Sequence, residues 1–78
     1  METTFYYIDE IQNRADGICN VVNPVQRSSL AAGLSYYYER RSKLVANTEF
    51  TSACLGMRDN HGNQIQPWEE FATAYSAE

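Results

Sequence analysis

Two strand-like runs, one amphipathic helical segment and two further strand-like runs follow one another between residues 3 and 71, and this order constrains the chain more than any single motif in it. Two hairpins joined by a helix need a crossover from the second strand to the third, and such a crossover packs best when right-handed. Placing the first strand between those two gives the order 2-1-3-4, with every neighbouring pair antiparallel. The expected fold is therefore α+β: a four-stranded antiparallel sheet, ββαββ, with one long helix on one face and a short C-terminal helix. Seventy-eight residues make one domain, residues 1–78.

The first strand is expected over residues 3–12, where Phe5, Tyr6, Tyr7, Ile8 and Ile11 are aromatic or β-branched. Phe5 and Tyr7 alternate with Tyr6 and Ile8, so apolar groups point to both faces, as in a central strand covered twice. Asp16-Gly17 marks a hairpin turn before a second strand at residues 17–26. Pro24 lacks a ladder donor, so that strand is an edge or ends near Asn23.

A helix follows over residues 29–46, capped by Ser28 or Ser29 and stopping near Asn47. Leu30, Leu34, Tyr37, Tyr38, Leu44 and Val45 form its apolar stripe, with Arg41 laying its aliphatic stem over the rim. Gly33 within the helix points to a close approach of helix and sheet. A third strand at residues 49–59 places Phe50 and Cys54 opposite Ala53, Leu55 and Met57. After the polar turn Asp59-Asn60-His61-Gly62-Asn63 comes a short fourth strand, residues 64–66, stopped by Pro67. Trp68, Phe71, Ala72 and Tyr75 recur at helical spacing behind Pro67 and Glu69-Glu70, which predicts a short helix over residues 67–76.

The chain carries ten acidic and six basic residues, net −4, and the whole excess lies beyond residue 43. That balance disfavours duplex nucleic acid as partner, because phosphate contacts need Lys and Arg. It suits a basic protein surface. Cys19 and Cys54 sit inside strands beside apolar residues and read as buried free thiols. The start of the chain lacks a signal-peptide pattern, and no stretch has membrane-spanning length, so a cytoplasmic protein with no membrane partner is expected.

Catalytic, cofactor and metal signals are weak. His61 is the only histidine and reads as a turn residue. Asp59, His61 and Asn63 alternate like the start of a calcium loop, but the glycine is displaced and the bidentate Glu is missing. Glu69 and Glu70 are explained as a helix start. No catalytic residue, cofactor or metal is assigned, and the expectation is a non-enzymatic binder. Tyr36, Arg40 and Lys43, on the outer side of the helix, are one candidate binding patch, and could serve single-stranded nucleic acid. Phe5 and Tyr7, on the sheet face opposite Tyr6 and Ile8, and the acidic Glu69 and Glu70 are the others. One of the two sheet faces meets the long helix and the other is left without it. That face needs the C-terminal helix, a second copy of the chain or a target protein over it.

Thr4-Phe5-Tyr6-Tyr7-Ile8, Ala15-Asp16-Gly17, the Tyr-rich helix, Ser52-Ala53-Cys54-Leu55-Gly56-Met57 and the Asp59–Ile65 turn together resemble small phage-, prophage- and mobile-element-encoded ββαββ proteins. That class includes anti-CRISPR-like counter-defence inhibitors. The resemblance spans about residues 3–66 and lies in the layout. It implies a protein that binds and blocks a host protein or complex, and it transfers no residue role.

Overall fold

The computed structural model describes residues 3–47 and 49–72, with the side chain of Ala72 left aside. Its elements are β1 (Tyr6–Asn13), β2 (Cys19–Arg27), α1 (Leu30–Val45), β3 (Ser52–Asp59) and β4 (Gln64–Ala72). The four strands form one antiparallel sheet in the order β2-β1-β3-β4, as the sequence predicts.

Local chemistry sets the boundaries. The first hairpin closes through Gly17 N–H to Arg14 O (3.1 Å) and Arg14 N–H to Ile18 O (2.9 Å), with Gly17 at φ 87°. Of the two candidate caps, Ser29 is the one used: its hydroxyl accepts from Ala32 N–H at 3.1 Å. The helix ends one residue before the expected stop, with Ala46 as C-cap.

Over residues 67–72 the expected C-terminal helix is not formed. Residues 64–72 are one continuous strand, and the remainder of the expected helix, residues 73–76 with Tyr75, lies outside the described residues. Pro67 is tolerated because β4 is an edge. Between Leu55↔Glu69 and Met57↔Gln66 the register slips by one residue, so a bulge takes up the proline. The spacing of Trp68 and Phe71 misled the helical reading. Three residues apart, they share a side on a helix but point to opposite faces on a strand. Phe71 enters the core beneath α1, paired across from Ala53, while Trp68 turns to the other face and lies over Gly56, as the contacts there show.

Ile8, Ala53, Leu55, Met57 and Phe71 from the sheet meet Tyr37 and Leu44 of α1 to form the core. Gly33 explains how closely the helix sits. A Cβ there would fall 2.5 Å from Met57 Cε and 3.3 Å from Tyr6 Cβ, so the buried Met57 side chain would have to shift to admit one. The seated stripe differs from the expected one. Tyr38, Leu30 and Val45 are exposed, and Tyr38 meets Tyr37 edge-on at 5.2 Å rather than entering the core. The helix is rotated so that Tyr36 and Arg40 also face the sheet.

The cause of that rotation is Glu10. It lies on the helix-covered side of β1, buried at 5% exposure. Arg40 Nε and Nη2 each donate to its carboxylate at 2.8 Å, and Gln12 Nε2 adds a third bond. This bidentate pair raises the Arg40 pKa above its ordinary value, chiefly through the hydrogen bond and against the opposing effect of burial. Removing one partner from such a site leaves a buried charge uncompensated. Arg40→Met should therefore cost about 2 kcal/mol in urea denaturation, because Arg40 itself keeps some solvent contact. Adding Glu10→Gln to that variant should recover most of the loss, and a double-mutant cycle measures the coupling.

Candidate functional site: the helix-free face of the sheet

The pleat sorts the residues of β1 and β3. Tyr6, Ile8, Glu10 and Gln12 face α1, paired beside Asp59, Met57, Leu55 and Ala53. Tyr7, Asp9, Ile11 and Asn13 face away, beside Arg58, Gly56, Cys54 and Ser52. The same alternation puts Val21 and Cys19 of β2 on the helix-free side, next to Ile11 and Asn13. Trp68 and Glu70 of β4 complete it. Among the described residues no second layer packs on this face, since α1 is the only helix and sits on the other.

At its centre Arg58 donates to Asp9 through Nε at 2.9 Å and Nη2 at 3.4 Å, and its guanidinium lies 4.7 Å above the Tyr7 ring. Around this group Ile11, Val21, Val22, Pro24 and Trp68 line a shallow hollow of about 310 Å³. Its walls owe their shape to the two edge strands. The β1–β2 register slips between Ile8 and Glu10, which puts Pro24 in a bulge opposite Asp9. On the other side Pro67 and Trp68 bulge opposite Gly56. Gly56 is cross-strand from Asp9, and its missing side chain is what lets the indole lie flat. A Cβ there would be 3.1 Å from Trp68 Cδ2. Trp68 remains 50% exposed and Val21 70% exposed.

The structure separates the residues singled out from sequence. Tyr36, Arg40 and Lys43 do not form one exposed patch: Tyr36 packs on the core under the Arg27 guanidinium at 4.9 Å, Arg40 is bound to Glu10, and Lys43 pairs with Glu39 at 3.3 Å. Glu69 and Glu70 do not start a helix. They sit on opposite faces of β4, where Glu69 pairs with Arg41 at 3.3 Å beneath α1 and Glu70 lies on the helix-free face near Cys54. Tyr7 is on the candidate face, half-buried under Arg58. Phe5 flanks it, tied through its backbone to Asn60. The contributions of Trp68, Arg58, Val21 and Asp9 were not anticipated. The one available signal for Trp68 was Pro67, read as an edge-strand bulge instead of a helix start.

The cysteines are free, as expected, but not buried: Cys19 is exposed and Cys54 half-exposed, both on the helix-free side. Burial first, and then the neighbouring Glu70 carboxylate, push the Cys54 thiol up from its ordinary pKa, which lowers its thiolate fraction and its reactivity.

The Asp59–Asn63 turn uses its own carboxylate. Asp59 accepts from His61 N–H (2.8 Å), Asn63 N–H (2.9 Å) and Asn63 Nδ2 (3.0 Å), and His61 Nε2 lies 3.1 Å from Thr4 Oγ1. Among the described residues no three His, Cys, Asp or Glu side chains are grouped to hold a metal. A second hollow, about 440 Å³, lies where α1 ends, lined by Gln12, Arg40, Lys43, Asn47, Glu49 and Phe50. Its walls are mostly polar, unlike those of the sheet hollow.

No protein-family model matches the chain, and comparisons with curated proteins and with solved structures also return no match. Among the described residues no helix is long and apolar enough to cross a membrane.

The Asp59 turn yields a pH prediction. The Asn63 side-chain amide, helped by the backbone N–H groups of Asn63 and His61, holds the Asp59 carboxyl below the usual carboxylate range. A depressed folded pKa stabilises the fold above the unfolded value of about 3.9, and that contribution is lost as pH falls through the folded pKa. Asp59→Asn should therefore lower the urea midpoint at neutral pH and flatten the acid limb below about pH 4. Midpoints measured across this range check both effects.

Proposed function

We propose that this chain is a protein-binding domain that acts by setting the helix-free face of its sheet against a partner. The observation that carries this reading is the half-exposed Trp68, standing with Val21, Ile11 and Pro24 around the Tyr7–Arg58–Asp9 group. Trp, Tyr and Arg are the side chains that most often dominate binding energy at protein interfaces. An apolar surface rimmed by polar groups is the usual form of such a contact.

The resemblance to phage and mobile-element counter-defence proteins supplies the partner class for this reading: a host protein or complex in the cytoplasm, inhibited by contact rather than by chemistry. Fold alone does not carry that assignment. The alternative, a nucleic-acid module, relies on Tyr36, Arg40 and Lys43 as one exposed cluster. It is supported less well, because Glu10 takes up the Arg40 charge and Glu39 shares that of Lys43.

Affinity capture from a bacterial lysate with matched variants tests the reading. Trp68→Ala removes a half-exposed ring and leaves the core residues in place. It should weaken binding of a captured partner by about thirtyfold or more, the loss expected of a dominant interface residue. Lys43→Ala, on the opposite side of the molecule, should leave binding unchanged. A partner retained by Trp68→Ala and lost by Lys43→Ala would overturn the assignment of the face.

A further inference from the structure

The two edges of the sheet are built differently. β4 carries Glu69 and Glu70, a proline and two register slips, the usual devices that stop an edge from pairing with another chain. β2 carries none of these over its first five residues, Cys19-Asn20-Val21-Val22-Asn23. No charged residue occurs there, and Pro24 marks where the regular run ends.

The backbone of this run is set for further pairing. Arg14 and Ile18 face each other through the Arg14 N–H to Ile18 O bond, so the next pair, Asn13 with Cys19, is a non-hydrogen-bonded one. A second contact agrees: the Asn13 carbonyl points to β3, where it accepts from Thr51 N–H at 2.9 Å. By alternation along an antiparallel pair, the N–H and C=O groups of Cys19 and Val21 point outward, away from β1.

We propose that β2 pairs antiparallel with β2 of a second copy of this chain, about a two-fold axis at Val21. That register sets Val21 beside Val21 of the second copy, Cys19 beside Asn23 and Asn20 beside Val22, with no like charges meeting. A β4–β4 pairing would bring Glu69 and Glu70 towards their own copies, and a β2–β4 pairing would be head-to-tail and open-ended. The axis stands perpendicular to the sheet, so both helices lie on one side and the two helix-free faces merge into one surface. Val21, 70% exposed in the single chain, then lies side by side with its own copy on that merged surface. A contact of this size gives a concentration-dependent dimer rather than an obligate one. The proposal stands on the edge geometry and does not depend on the proposed function.

Sedimentation equilibrium and amide hydrogen exchange on the full chain test it together. The mass should rise with concentration from 8.9 kDa towards twice that value. At concentrations that favour the dimer the Cys19 and Val21 amides should be protected, and dilution should remove that protection. Val21→Lys places two cations at the axis and should give a folded monomer with both amides unprotected. Val45→Lys, at an exposed helix position, should dimerise as the parent does. A parent chain that stays monomeric at every concentration would overturn the proposal. So would a dimer in which the Cys19 and Val21 amides exchange freely, whether or not Val21→Lys folds.

Discussion

A carboxylate on the covered side of a central strand has to be answered, and Glu10 is such a group. Left alone it would carry a desolvation penalty of several kcal/mol. Arg40 answers it with two bonds at 2.8 Å, and much of the helix placement follows. Holding Arg40 over β1 turns α1 so that Gly33 meets Tyr6 and Met57, Tyr37 and Leu44 enter the core, and Tyr38 is left outside. A buried pair of this kind contributes more to register than to net stability, since a well-packed apolar pair could replace it. Its role is to select one seat for a helix whose apolar stripe, taken alone, suggests another.

Fixed in that way, α1 covers one side of the sheet. The other side still has apolar content, because β1 alternates Tyr7 and Ile11 with Tyr6 and Ile8. The edges then shape that side. Pro24 and Pro67 both fall in register slips, on strands at opposite edges of the sheet, next to the central Asp9↔Gly56 pair. Bulges increase local twist, and here they bring Pro24 and Trp68 to the rims of one hollow. The Asp9–Arg58 pair at its base is only partly exposed and stacked on Tyr7. The surface thus combines an aromatic anchor with a positioned guanidinium.

The strand order, the helix and the edge position of β2 were legible because periodicity and turn chemistry are local. Phe5 to Ile8 alternates, Asp16-Gly17 makes a tight turn, and Ser29 caps. What was not legible depended on contacts across the fold. Arg40 looked like a solvent-facing residue because Glu10 lies thirty positions away in sequence. Residues 67–72 looked helical because Pro-Trp-Glu-Glu-Phe satisfies a helix start as well as it satisfies a bulged edge strand. The unpaired edge of β3 decided between them, since Ser52 to Leu55 needed partners and Glu69 to Ala72 supply them. The cysteines were placed in the right strands but read as buried, whereas Cys19 is exposed and Cys54 half-exposed.

The chain has one tryptophan, and it reports directly on whether the second sheet face is open. Acrylamide quenching of Trp68 fluorescence in the purified protein is the most direct measurement of the account. Half-exposed on the helix-free side, Trp68 should emit at long wavelength and be quenched readily, in a dimer formed through β2 as much as in the monomer. A blue-shifted emission that resists acrylamide would show this face to be covered and would contradict the account.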